Sequence, residues 1–157
     1  MGEETGLRQV MERYGDMVYR LALAQTHSSH DADDVFQEVF LRYLRAAPVF
    51  REEEHRKAWL LRVTVNCCKK LHGSFWRRHT VALSEALPAQ NSEEGELLGL
   101  LEGLPQKYRA VLHLYYYEGY ATEEIAAILG RSPGTVRSQL SRGRALLRDA
   151  WKGAEEL

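Results

Sequence analysis

One stretch constrains this chain more than any other. Thr122 to Trp151 reads T-E-E-I-A-A-I-L-G-R-S-P-G-T-V-R-S-Q-L-S-R-G-R-A-L-L-R-D-A-W. An apolar helical run, Ile125, Ala126, Ile128 and Leu129, stops at Gly130, and a second run opens two residues later. Gly130 is placed to end the first helix in a left-handed cap. Ser132 caps the second, and Pro133 takes its first position, where a missing N–H leaves nothing unsatisfied. Thr122 is expected to cap the first helix, with Glu123 and Glu124 in its first turn, where the helix dipole favours negative charge.

The second helix has two unlike sides. At 100° per residue, Val136, Leu140, Gly143 and Leu147 form a narrow stripe that must be buried. Gly143 within it predicts the close approach of another backbone. The opposite side carries Thr135, Arg137, Ser138, Ser141, Arg142, Arg144 and Arg148, with no acid before Asp149. Arginines interleaved with hydroxyls suit a DNA major groove, since guanidinium forks pair with guanine and hydroxyls with phosphate or base. The plainer alternative is a solvated basic face on a helical hairpin. The caps, the Gly-x-Ser-Pro turn and the phase of the stripe together favour a helix-turn-helix whose second helix reads DNA.

Net charge is −1 over 157 residues, so the chain as a whole is no polycation. The charge is uneven, however. Residues 105–152 hold eight Lys/Arg against four Asp/Glu, and residues 55–84 hold seven Lys/Arg and no acid. Two basic segments separated by acidic ones point to nucleic acid at two places and protein elsewhere. No apolar run approaches the ~20 residues that span a bilayer, and the first residues are polar and acidic. The expectation is a soluble, cytoplasmic chain with no direct membrane insertion. Cys67 and Cys68 are adjacent and read as small, partly buried helix residues in a reducing compartment. His27-Ser-Ser-His30 has metal-ligand spacing but no carboxylate–histidine partner motif, and a solvated turn is the better reading. No metal, cofactor or catalytic residue is expected.

The rest of the chain is helical by pattern, with no strand periodicity and no internal repeat. Val10, Tyr14, Met17, Val18, Leu21 and Ala22 mark a helix from Leu7 to about Thr26, which Gly15 interrupts without breaking. The next helix starts at Ser29 or Asp31 and stops before Pro48, burying Ala32, Val35, Phe36, Val39, Phe40, Tyr43 and Leu44. Asp34, Gln37 and Glu38 stand at i, i+3 and i+4 on a common polar face. A loop over residues 47–54 holds Phe50 and Arg51. A third helix, from about His55 to His72 and ended by Gly73, has Trp59, Leu60, Val63, Val65 and Leu71 as its apolar side. Arg56, Lys57, Arg62, Asn66, Lys69 and Lys70 mark its polar sides. Aromatics interleaved with cations suit unpaired strands, because rings stack on exposed bases while cations meet phosphates. Residues 80–91 form a polar linker. A Leu-rich helix from Ser92 and another from Leu104 to about Glu118 then precede the helix-turn-helix. The predicted fold is therefore all-α: two small helical domains, 1–79 and 92–157, joined by a flexible linker at 80–91. The second is a four-helix domain containing the helix-turn-helix.

Taken in order, these segments resemble a known family. Y-G-D-M-V-Y-R-L-A (14–22), D-A-D-D-V-F-Q-E-V-F-L-R (31–42), A-W-L-L-R-V-T-V-N (58–66), L-P-Q-K-Y-R-A-V-L (104–112) and the stretch from 122 to 144 look like the bacterial sigma-70 family, in its extracytoplasmic-function (ECF) group. The resemblance covers nearly the whole chain. It implies that Asp34, Gln37 and Glu38 dock on the β′ clamp of core RNA polymerase. It implies that Phe50, Arg56, Trp59, Asn66, Lys69 and Lys70 meet the melted minus-ten element. Thr135, Arg137, Ser138, Ser141, Arg142 and Arg144 would meet the minus-thirty-five duplex. The implied partners are core polymerase, through its β′ clamp and β flap, promoter DNA and an anti-sigma factor. A free-standing helix-turn-helix regulator acting without polymerase is the alternative reading.

Overall fold

The computed structural model describes residues 2–78 and 103–155. Contacts divide the chain into two compact units, Met1–Glu85 and Ala86–Leu157. Every regular element among the described residues is helical.

The first unit is a bundle of three helices: α1 (Gly2–Thr26), α2 (Ser29–Ala46) and α3 (Glu53–Arg78), each packed on the other two. The periodicity of α1 is borne out. Val10, Tyr14, Met17, Val18, Leu21 and Ala22 are all buried. Gly15 lies within the helix, where a Cβ would meet the Phe36 ring of α2 at 3.4 Å, close to an ordinary contact. From α2, Ala32, Val35, Val39 and Phe40 enter the core, whereas Leu44 is exposed, contrary to expectation. Ser28 caps α2 by accepting the Asp31 N–H (3.2 Å), and Ala47 ends it in a left-handed conformation just ahead of Pro48.

Helix α3 departs most from the sequence reading. It begins at Glu53, so the preceding loop covers only residues 47–52, and it runs through Gly73 rather than stopping there. An interior glycine costs about 1 kcal/mol against alanine, which weakens a helix without ending it. Its buried side is Leu60, Leu61, Thr64, Val65, Cys67 and Cys68. Trp59, Val63 and Leu71 are only half-buried. Thr64 lies in the core because its hydroxyl donates back to the Leu60 carbonyl (2.6 Å), a local bond that satisfies it without a partner helix. Cys67 and Cys68 are free thiols packed as core residues, and burial pushes the Cys67 thiol pKa up.

The second unit comprises α4 (Gln106–Leu112), a π-helical turn (His113–Tyr117), α5 (Thr122–Leu129) and α6 (Pro133–Glu155). The expected linker at 80–91 and the expected helix from Ser92 lie outside the described residues. α4 and α5 both pack on α6. The core is Leu104, Tyr108, Val111, Leu114, Ile125, Ile128, Val136 and Leu140. The π turn bonds Glu118 N–H to the His113 carbonyl (3.1 Å), and Gly119 (φ 77°) then turns the chain toward α5. Along it Tyr116 and Tyr117 are exposed while Leu114 is buried.

The turn between α5 and α6 follows the sequence closely. Gly130 has φ 67°, and both its N–H and that of Arg131 return to the Ala126 carbonyl. Ser132 accepts the Thr135 N–H (3.1 Å), with Pro133 as the first residue of α6. Two local expectations fail. Ala121, not Thr122, is the cap residue of α5, and the Glu124 carboxylate reaches back to accept its N–H (2.9 Å). What approaches Gly143 is side chain, not backbone: a Cβ there would lie 3.2 Å from Leu112 Cδ1 and 3.4 Å from Tyr108 Cβ.

Candidate nucleic-acid interface

Two surfaces collect the candidate residues, one in each unit. On α6, the buried stripe Val136, Leu140 and Gly143 turns the opposite side outward. Thr135, Arg137, Ser138, Ser141 and Arg142 all lie on that exposed side. Arg137 makes only a loose approach to Glu123 (3.9 Å), with its side chain 60% exposed, so its guanidinium is available to a ligand. Thr135, Ser138 and Arg142 border an open groove of about 480 Å³, whose other walls include Lys107, Ser132 and Gln139. Sequence reasoning missed these last three. Lys107 comes from α4, so no periodicity within α6 could have revealed it. Arg131 braces the groove by donating to Gln139 Oε1 (2.8 Å) and the Lys107 carbonyl (3.4 Å). Burial there pulls its pKa down.

Arg144 stands apart from these five. It is half-buried, with its guanidinium carbon 5.4 Å from the Tyr115 ring centre and 5.7 Å from that of Tyr116. A cation held over two rings braces α6 against the π turn. Leu147, expected in the buried stripe, is half-buried.

In the first unit the structure brings Phe50, Arg56 and Trp59 together. Trp59 is packed edge-on against Tyr43 (5.7 Å between centres) and Phe50 (6.4 Å). Arg56 lies 5.5 Å over Phe50 and donates through Nε to the Tyr43 hydroxyl (3.1 Å). Half-buried rings beside a cation make a small aromatic platform, a chemistry that suits unpaired bases. Along α3, Asn66 and Lys70 fall within about 40° of Trp59 on the helical wheel, and Lys69 lies toward one edge. All three are exposed. Tyr43, placed by periodicity in the core of α2, is a wall of this platform instead.

Glu53 ties the platform to the bundle. It accepts the Tyr14 hydroxyl (2.6 Å) and an Arg56 N–H, and Arg13 stands 3.6 Å away. The Tyr14 hydrogen bond, then that of Arg56, holds the Glu53 carboxyl below its ordinary pKa. Burial, reinforced by Glu53, pushes the Tyr14 phenol up to about 12.

On α2, Asp34, Gln37 and Glu38 share a surface, as their spacing requires. Asp34 and Gln37 are exposed, with His30 3.9 Å from Asp34. Glu38 is half-buried and accepts from Arg42 Nε (3.0 Å). Among the described residues no group of His, Cys, Asp and Glu has the arrangement to hold a metal ion. No described helix is long and apolar enough to cross a membrane.

A helical unit with an outward face of arginines and hydroxyls, and a helical unit with half-buried rings beside a cation, have the chemistry of a nucleic-acid-binding protein. Comparisons with known proteins agree. The sigma-70 region 2 model matches residues 10–80, and the sigma-70 region 4 model matches residues 94–147. The ECF RNA polymerase sigma factor SigE of Mycolicibacterium smegmatis is 35% identical over 154 residues, covering 90% of this chain and 60% of that protein. SigM of Mycobacterium tuberculosis, also an ECF RNA polymerase sigma factor, is 30% identical over 151 residues, covering 93% of this chain and 77% of that protein. The sigma factor RpoE of Bartonella quintana, solved in complex with the anti-sigma factor NepR, superposes with a TM-score of 0.75 at 22% identity. That match covers 92% of this chain and 96% of the other. The chain belongs to the sigma-70 family, among its ECF RNA polymerase sigma factors, which serve RNA polymerase in promoter recognition.

Proposed function

We propose that the two units divide promoter recognition by the state of the DNA. Residues 92–157 read an intact minus-thirty-five duplex through the groove of α6, with Arg137 and Arg142 as the forks to bases and Thr135, Ser138 and Ser141 as hydroxyl contacts. Residues 1–79 hold the opened minus-ten element on the Phe50–Trp59 platform, with Arg56, Asn66, Lys69 and Lys70 along the backbone. Residues 80–91 connect them. Asp34, Gln37 and Glu38 dock on the β′ clamp of core polymerase, and the second unit docks on the β flap.

The observation that supports this reading most directly is the chemistry of the two surfaces. One offers forked donors and hydroxyls on a helix that fits a major groove. The other offers half-buried rings beside a cation, suited to stacking on bases that have left the duplex. Because the second surface rewards only separated strands, binding energy itself favours melting, and no nucleotide hydrolysis by this chain is needed. The protein therefore acts as a cytoplasmic transcription factor and not as a catalyst. The RpoE complex supports an anti-sigma factor as a further partner.

The test compares the purified chain with and without core polymerase on a fully paired and a pre-opened promoter fragment. The reading predicts weak binding by the chain alone, and tight binding with core that is stronger on the opened fragment. Tight binding of the chain alone to a symmetric duplex site would favour the free-standing regulator and overturn it.

A further inference from the structure

The loop at 47–52 carries Phe50 but holds few anchors of its own. Val49 within it is 94% exposed. The order of the platform comes from the residue that follows the loop. Glu53 faces two ways: Oε2 accepts from the Tyr14 hydroxyl on α1, and Oε1 accepts from Arg56. Arg56 in turn donates to the Tyr43 hydroxyl and covers the Phe50 ring. A chain of direct contacts therefore runs from the buried Tyr14 to all three rings of the platform. Neighbouring acids do not share this role. Glu52 approaches only His55, at 4.0 Å.

A carboxylate beside a DNA-binding surface ordinarily repels phosphate. Here Arg13 and Arg56 flank the exposed Glu53, so its charge is offset locally. Stacking an unpaired base requires rings already held apart and oriented; rings that must first be ordered lose that entropy from the binding energy. We propose that Glu53, clamped between Tyr14 and Arg56, is a positioning residue that presets the Tyr43–Trp59–Phe50 platform for an unpaired base. It sets affinity for opened DNA without touching DNA. This rests on the reading of the platform as a single-strand site.

The experiment uses the full chain with core RNA polymerase. The probes are labelled single-stranded DNA and labelled duplex DNA, each selected from a random pool by the parent complex. Tyr14→Phe keeps the ring and deletes only the hydroxyl; Glu53→Gln keeps the shape and deletes the charge. Each is expected to weaken single-strand binding about fivefold, the scale of one lost hydrogen bond, and to leave duplex binding within about twofold. Because the two act through one contact, the double variant is expected to be no weaker than the worse single. Far-UV circular dichroism at the binding temperature reports the folded fraction. Loss of affinity in proportion to lost folded chain would make the role structural and overturn the proposal. So would unchanged single-strand binding in both variants while Trp59→Ala weakens it; the platform reading then survives. If Trp59→Ala changes nothing, the platform reading itself fails, and the positioning role with it.

Discussion

Glu53 and Tyr14 give the first unit a pH signature of known sign. The folded chain holds the Tyr14 proton more tightly than an ordinary phenol, whose pKa is ~10. Stability from this contact is therefore intact below that value and is lost as pH rises through about 12. Glu53 works in the opposite direction: its contribution is present above the ordinary carboxylate range and is lost as pH falls. Alkaline titration of phenolate absorbance should show a late step, and Tyr14→Phe should remove it. Uniform titration at the ordinary value would contradict the contact. Two of the arginines of α6, Arg137 and Arg144, separate equally well. Arg137→Ala should weaken duplex binding by ~1–3 kcal/mol if its fork meets guanine. Arg144→Ala should instead lower stability by ~0.5–1 kcal/mol through its lost rings, with sequence preference unchanged. A panel of duplex sites together with thermal melts distinguishes them. Sequence alone placed both on one basic side, because a helical wheel shows direction and not what another element brings there. Tyr115 and Tyr116 come from the π turn, and no residue pattern announced that turn. Glu53 was hidden for the same reason: Arg56 lies three residues along its own helix, but its other partner, Tyr14, comes from α1.

Among the elements, those with strong periodicity were the most legible. The core stripe of α1, the glycine cap of α5 and the Ser132-Pro133 start of α6 all stand where the residues placed them. Boundaries governed by tertiary packing were not legible. α3 runs through Gly73, and Leu44 stays outside the core although its spacing is correct. The bare position at 143 shows how packing uses a glycine. Gly143→Val must push its methyls into Leu112 and Tyr108, which already stand 3.2 to 3.4 Å from the Cβ position. The expected cost is ~1–3 kcal/mol, from overpacking between α4 and α6. Urea unfolding measures it, and an unchanged midpoint would show that α4 yields freely. Gly15→Ala is expected to be much milder, because its nearest neighbour is a ring edge at 3.4 Å.

For the whole molecule, small size makes partnership central. Each unit has one modest core, and domains of ~60 residues bury only about 60% of their unfolded surface. In the proposed reading, Asp34, Gln37 and Glu38 are the first unit's docking face. Replacing Asp34 and Glu38 with Lys should abolish co-purification with core polymerase while the helical circular dichroism signal persists. Retained co-purification would move the docking surface elsewhere. The central claim is that one unit reads closed duplex, the other captures opened strands, and polymerase joins the two acts. Run-off transcription by core polymerase on a genomic promoter library, with and without the chain, tests it most directly. The account predicts discrete transcripts that require the chain, lost with Trp59→Ala on paired templates and partly restored when the minus-ten segment is opened beforehand. Transcripts that appear equally without the chain, or a Trp59→Ala variant as active as its parent on paired templates, would contradict it.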